Sequence, residues 1–402
     1  MFNISRFIAE HITGRRESMF LADLESHRDE LTESVRERRV LVIGGAGTIG
    51  SSFIRAILPL KPAELVVVDL SENGLTELTR DLRSTCGMFV PEKYRTYPLS
   101  FADPVFESIF RNEKGFEIVA NFSAHKHVRS EKDVYSVRAL LENNVLKARR
   151  LLEQLAVFPP EHFFCVSTDK AANPVNIMGA SKRIMEDLIM AYSDRFPVAT
   201  ARFANVAFSN GSLLAGFLER VMKRQPFSSP SDVRRYFVSP EESGQICMLA
   251  CLLGRNREIF FPKLGEEQMM TFSSIGDAFL RSLGYEPVYC DSEEDARRFA
   301  SHMSDDTKKW PVYYFHSDTT GEKDYEEFYV PGEKLNLDRF ESLGVIEGIQ
   351  GRPIKELYAF LERLETRLAE PDVTKSRIVD ELSRFLPNFV HVEKGKNLDQ
   401  KM

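Results

Sequence analysis

No run of apolar residues in this chain approaches the roughly 20 that a membrane helix needs. The longest, "ICMLACLL" at Ile246–Leu253, reads as a buried helix. Nor does the chain open on an apolar block with a small-residue cleavage site. "MFNISRFIAEHITGRRE" carries charges throughout, so no secretory signal and no membrane association are expected, and the protein is placed in the cytoplasm. Basic blocks are absent too, and a formal net charge of −7 gives no field for holding nucleic acid. Cysteine is scarce: five in 402 residues, an odd number without framework spacing, so disulfides are not expected. Cys247 and Cys251 stand four apart on one helical face, but Met248, Leu249, Ala250, Leu252 and Leu253 surround them. Core packing is the reading, and no metal is expected. Internal repeats and low-complexity tracts are also lacking.

What is present is ordinary globular material, 43% hydrophobic and 28% charged, enough for a large core and two lobes. Residues 1–38 are polar with spaced apolar positions such as Phe7, Ile8, Leu21, Leu24 and Leu31. They predict one or two amphipathic helices lying on the body or on a neighbouring subunit. From Arg39 the texture changes. "VLVIGGAGTIGSSFIRAIL" is strand, glycine turn and helix; "AELVVVDL", "FEIVANFSA" and "HFFCVSTD" are further apolar strands, with the helical "NNVLKARRLLEQLA" between the last two. Strands alternating with helices predict an α/β fold with a Rossmann-type, doubly wound parallel sheet over residues 39–205. Longer polar loops after that predict a smaller substrate-binding lobe over 206–366, partly interleaved with the sheet domain and set above its carboxyl edge. Residues 367–402 read as a helix and a charged tail.

"GGAGTIG" places Gly44, Gly47 and Gly50 directly after a strand. Gly44 allows the tight turn and Gly47 allows backbone approach to a pyrophosphate. Gly50 allows close helix packing, and Thr48 and Ile49 open a helix whose free N–H groups and dipole favour phosphate. Asp69 closes the next strand, where a carboxylate would accept hydrogen bonds from an adenosine ribose. It would repel a ribose phosphate, so NAD is favoured over NADP, although Ser71 and Asn73 leave room for a phosphate. The G-x-x-G-x-x-G spacing is the form found in extended short-chain dehydrogenases.

The second informative stretch is "FCVSTDKAANPVNIMGASKRIMED". A strand ends in Thr168, Asp169 and Lys170, and a helix follows with Lys182. In short-chain dehydrogenases a tyrosine stands four residues before that lysine. Here Met178 does, one turn earlier on the same helical face and without acid–base capacity.

Taken with "SAHKHVRSEKD", "ENNV", "RFANVAFSNGS", "RRYFVSPEE" and "TGEKDYEEF", these motifs give a resemblance. From about Arg39 to Phe328 the chain resembles the nucleotide-sugar 4,6-dehydratases of the CapD-like polysaccharide-biosynthesis group, those acting on UDP-N-acetylglucosamine. Membrane-bound relatives carry an N-terminal transmembrane domain, and this chain is expected as a soluble short form. Ser100 and Thr319 depart from the pattern, standing where that group has an Asp near the adenine and an Arg.

The resemblance implies an internal redox reaction. Hydride passes from C4 of the sugar to NAD+, the C4 ketone acidifies the C5 proton, water leaves from C6, and the hydride returns to C6. It assigns Asp169 to the C6 oxygen, Lys170 to C5 and Thr168 to the C4 oxygen. Lys182 is the cation beside the nicotinamide ribose, and Asp169, or a water it orients, takes the C4 hydroxyl proton. Relatives with methionine at the tyrosine position tend to retain configuration at C5, which favours UDP-2-acetamido-2,6-dideoxy-D-xylo-hexos-4-ulose. Lys126, Asn205, Ser209 and Arg235 align with residues that hold the sugar nucleotide, and a guanidinium suits a diphosphate. His125 and His127 are read as structural, because strand alternation would turn them away from Lys126. The partner is a UDP-sugar, with a GDP-linked sugar left open, and a homo-oligomer is expected. The competing readings are a C5-inverting dehydratase, a nucleotide-sugar 4-epimerase and a catalytically silent dinucleotide-binding protein.

Overall fold

A computed structural model describes residues 2–317, 323 and 325–391. The four apolar segments read as strands become parallel strands, Arg39–Ile43 (β1), Glu64–Asp69 (β2), Ile118–Asn121 (β4) and His162–Val166 (β5), and a fifth that the sequence reading did not name, Lys93–Pro98 (β3), joins them beside β2. Val198–Ala201 (β6) follows. The full sheet runs Lys334–Asn336, Leu343–Glu347, Glu258–Pro262, β6, β5, β4, β1, β2, β3. Glu258–Pro262 is parallel to β6, while the last two strands in the chain are antiparallel and finish one edge. The chain order reverses between β1 and β4, which is where ligands of open α/β sheets sit. β1, β2 and β4 are continuous apolar runs because both faces are covered.

Thr48–Ile57 and Pro240–Leu253 pack together as one helical layer, and Ile177–Ala191 packs with Lys147–Leu155 and Ile354–Ala369 in another. The "ICMLACLL" run is wholly buried inside Pro240–Leu253. Cys247 and Cys251 lie in that core, where burial pushes both thiols well up. Among the described residues no helix is long and apolar enough to cross a membrane. No group of three His, Cys, Asp or Glu side chains among them is placed to hold a metal ion.

The polar loops after β6 build a second layer of structure around three parallel strands, Phe227–Pro230, Lys309–Phe315 and Glu286–Tyr289. Its core includes Phe208, Phe217, Phe227, Phe279 and Trp310. Phe217 and Phe227 stack at 4.4 Å between ring centroids.

The first 38 residues form three helices rather than one or two: Ile4–His11, Leu21–Ser26 and Arg28–Val35. Gly14, at φ +68°, turns the chain after the first, and His27 breaks the other two apart. Phe7 and Ile8 join the lobe's core. The Arg15 guanidinium donates to both carboxylate oxygens of Glu242 at 2.7 and 2.8 Å. Asp23 accepts from the N–H groups of Glu341 and Ser342. At the other end, Thr374 caps Lys375–Phe385, whose Phe385 stacks on Phe360 at 4.0 Å. The charged tail, 393–402, lies outside the described residues.

Candidate active site

β1 delivers Gly44 into a turn at φ +75°, a conformation side chains rarely adopt. Its N–H donates to Val68 O at 2.7 Å, and a Cβ there would lie 2.7 Å from Ser123 N and 2.8 Å from Phe122 C. A Cβ on Gly50 would lie 2.3 Å from Gly44 O, so the helix closes directly on the turn. Gly47 is the N-cap of Thr48–Ile57, leaving the first N–H groups of that helix, at Thr48 and Ile49, facing the turn. Asp69, at the end of β2, accepts from Ala46 N at 3.0 Å and Ser71 N at 2.9 Å. Each oxygen keeps a free lone pair. Ser71 is spent as the N-cap of Glu72–Ser84, accepting from Gly74 N. Thr48 Oγ1 accepts from Asn210 N at 2.9 Å and ties the cradle to the lobe. A turn in which Gly44 and Gly50 exclude a Cβ while Gly47 leaves its side open, beside a carboxylate, fits a dinucleotide.

Gly44→Ala should therefore cost at least about 2 kcal/mol of stability, from the left-handed backbone and the contact with Ser123. It should also empty the site. Nucleotide released on denaturation of the purified variant checks this, and a full complement would contradict it.

Beyond β5 the chain turns sharply through Thr168–Ala171. One oxygen of Asp169, which is 3% exposed, accepts from Thr168 Oγ1 at 2.8 Å, Lys170 N at 2.9 Å and Lys170 Nζ at 3.0 Å. The helix carrying Met178 and Lys182 starts at Asn176, whose side chain accepts from Gly179 N. A Cβ on Gly179 would lie 2.6 Å from Lys170 O, so this helix is pressed against the Asp169–Lys170 turn. Lys182 is buried and donates to Val166 O at 3.0 Å; burial pulls its ammonium below the ordinary lysine range. Met178 is buried, and its N–H donates to Glu131 Oε1 at 2.9 Å.

The reading of residues 125–127 as a strand needs correcting. β4 stops at Asn121, whose Oδ1 accepts from Ser123 N at 3.0 Å in a local turn. His125, Lys126 and His127 therefore lie exposed in a loop, where alternation has no meaning. Asn144 clamps that loop by accepting from His125 N at 2.8 Å and donating to His125 O at 2.9 Å. It sits in a π-turn, Glu142–Leu146, and also reaches Ser181 Oγ.

On the lobe side, Asn205–Val206 pairs with Phe237–Val238, and Ser209 is buried in the turn that follows. Arg235 is buried, donating to Lys323 O at 2.9 Å and lying 4.0 Å from Glu326 Oε1. Ser100 sits in a turn where its N–H donates to Asp103 Oδ2. Thr319 lies outside the described residues.

A family model described as polysaccharide biosynthesis protein matches residues 40–346. The chain belongs to that family.

The chain is 27% identical over 324 residues to an uncharacterized membrane protein of Methanocaldococcus jannaschii, covering 79% of this chain and 88% of that one. It is 28% identical to EpsC of Bacillus subtilis, named a probable polysaccharide biosynthesis protein, but the match spans 59% of this chain and only 40% of EpsC. A UDP-N-acetylglucosamine 4,6-dehydratase (inverting) of Campylobacter jejuni is 24% identical, with 62% of this chain and 73% of that one covered. Among solved structures, Pen from Bacillus thuringiensis superposes with a TM-score of 0.63 at 18% identity, covering 83% of this chain and 99% of that one. A dTDP-glucose 4,6-dehydratase from Streptomyces venezuelae gives 0.55 at 20%, with 72% and 88% covered. The fold is the extended short-chain dehydrogenase/reductase one.

Four groups at or behind the turn escape sequence reasoning. Glu131 holds the Met178 N–H with one oxygen and faces His391 Nε2 at 3.4 Å with the other. Glu186 accepts from Ser167 Oγ at 2.6 Å and from two nitrogens of Arg202, which is fully buried. Glu326 lies buried 3.7 Å from Lys170 Nζ. Their only sequence signal was membership of the quoted motifs "SAHKHVRSEKD", "GASKRIMED", "RFANV" and "TGEKDYEEF". Burial alone would lower the Lys170 ammonium, yet the charges of Asp169 and Glu326 outweigh it and raise it. Burial also pushes the Glu326 carboxyl up, against the pull of Lys170 and Arg235.

Proposed function

We propose that this protein catalyses the NAD-dependent 4,6-dehydration of UDP-N-acetylglucosamine, with retention at C5, in the cytoplasm. The observation that carries the reading is the Thr168–Asp169–Lys170 unit at the carboxyl end of β5, hydrogen-bonded through one oxygen of Asp169 and backed by the helix of Lys182. Family membership and the dehydratase among its relatives support it. Bound NAD+ would supply the hydride acceptor at C4 and the donor at C6, and the missing ribose phosphate suits the Asp69 carboxylate. Thr168 holds the C4 oxygen, Asp169 takes the C4 hydroxyl proton and passes it to the leaving C6 oxygen, and Lys170 serves C5. Met178 contributes no proton, which leaves one basic group, Lys170, to remove the C5 proton and to deliver a solvent-exchanged one back on the same face. Lys126, Asn205, Ser209 and Arg235 are assigned to the sugar nucleotide.

Purified protein mixed with UDP-N-acetylglucosamine in deuterated water, without added cofactor, should give a product lighter by one water with a single deuterium at C5. Ring couplings in the proton NMR spectrum should show retention. An inverted product would transfer the assignment to the inverting activity named for the Campylobacter relative. Sugar returned unchanged even with NAD added would remove UDP-N-acetylglucosamine as substrate, and a GDP-linked sugar would be next.

A further inference from the structure

The proton inventory of the proposed dehydration leaves one proton without a place, and the structure offers a place for it. Lys170 must be a neutral amine before it can abstract the C5 hydrogen. Its Nζ lies between two carboxylates, 3.0 Å from Asp169 and 3.7 Å from Glu326, which favours the ammonium. Asp169 cannot relieve it. That carboxylate has to collect the C4 hydroxyl proton and carry it to the C6 oxygen, and it cannot hold a second one. Among the described residues the other acceptor in reach is Glu326: 4% exposed, 3.7 Å from Nζ, and 4.0 Å from Arg235. Its segment is pinned two residues on, where Arg202 donates to Phe328 O at 3.1 Å.

Resting on the proposed dehydration, we infer that Glu326 is the proton store for Lys170, a positioning residue that acts through the lysine. An Nζ–H bond breaks and a Glu326 O–H bond forms, leaving the amine lone pair free. That lone pair takes the C5 proton, the C5–H bonding electrons form the double bond to C6, and the C6 oxygen leaves as water with the proton from Asp169. Lys170 afterwards delivers one of its solvent-exchanged ammonium hydrogens to C5 and Glu326 returns the stored proton to Lys170, so the count closes. Burial favours the neutral form of the Glu326 carboxyl, as storage requires. Among the described residues the charged groups around it are Lys170, Asp169, Arg235 and Lys323; those around Lys170 are Asp169, Glu326 and Arg235.

Because the exchange is internal, it leaves the site's charge unchanged, and wild-type kcat should be flat across neutral pH. In Glu326→Gln the lysine must release its proton to solvent. Then kcat should climb about tenfold per pH unit and start roughly 100-fold below wild type at the acid end, with KM little changed. Glu326→Asp should restore part of the flat profile. A flat Glu326→Gln profile beside an active wild type overturns the store alone. A wild type that dehydrates no nucleotide sugar overturns the proposed function and the store with it.

Discussion

A chain carrying Asp169→Asn and Lys170→Met together should fold, keep its dinucleotide and turn over no sugar. The changes are small in shape. An Asn Oδ1 can still accept from Thr168 Oγ1 and Lys170 N, the two bonds that hold the turn without the lysine's help. Methionine fills much of the volume of the lysine stem, and neither residue touches the glycine cradle. Chemistry loses both its acid and its C5 base. General acid–base groups contribute roughly 100- to 10,000-fold each, and because two members of one unit are not additive, the double variant should resemble the worse single one. The singles separate the roles. Lys170→Met should still oxidise C4 and show the absorbance of reduced dinucleotide without losing water, whereas Asp169→Asn should block the first proton transfer. The checks are turnover of UDP-N-acetylglucosamine and nucleotide content after denaturation. Wild-type turnover from the double variant would place the catalysis elsewhere in the chain.

Both halves of that prediction were legible in the sequence because they are local. Glycines at a strand end, a carboxylate closing the next strand, and Thr168–Asp169–Lys170 before a helix with Lys182 each lie within one βα unit, where spacing fixes geometry. The partners that complete the site come from far along the chain. Glu326 reaches Lys170, Glu131 reaches the Met178 N–H, and Arg202 reaches Glu186 only once the sheet order and the lobe are in place. No periodicity reports such meetings. The misreading at His125–His127 has a different cause. An apolar run suggests a strand, but the side chain of Asn121 competes for the backbone and ends it. The helices at both termini are visible as amphipathic patterns. What they cover is not: the first helix packs into the lobe's core, and Ile354–Ala369 and Lys375–Phe385 join the sheet's core.

Arg202→Met should be the most destabilising single change outside the glycine turn, by about 3–5 kcal/mol. Arg202 is 0% exposed. Its guanidinium donates to both oxygens of Glu186 at 2.9 and 2.8 Å, to Phe328 O at 3.1 Å and to Glu333 at 3.2 Å. Methionine replaces the stem but leaves the Glu186 carboxylate buried without its main counter-charge, and a stranded buried charge costs more than the pair contributes. Burial opposes ionisation of Glu186, yet Arg202, with Arg183 and Ser167, outweighs it and holds that carboxyl below the usual range. The stabilisation is therefore present above the unfolded carboxylate pKa and disappears as pH falls through the lower folded one. Raising the pH cannot rescue the variant; acidification should narrow its gap to wild type. Glu186→Leu added to Arg202→Met should recover part of the loss, because it removes the stranded charge. Urea midpoints of the three chains at neutral and acid pH test this, and an Arg202→Met midpoint equal to wild type would refute it. Function should suffer before unfolding does. Ser167 Oγ is held by Glu186, and Phe328, two residues from Glu326, is held by Arg202. The buried pair thus fixes the strand end that presents Asp169 and the segment that presents Glu326 across the same cleft, and loosening it should lower kcat under conditions where the variant is still folded.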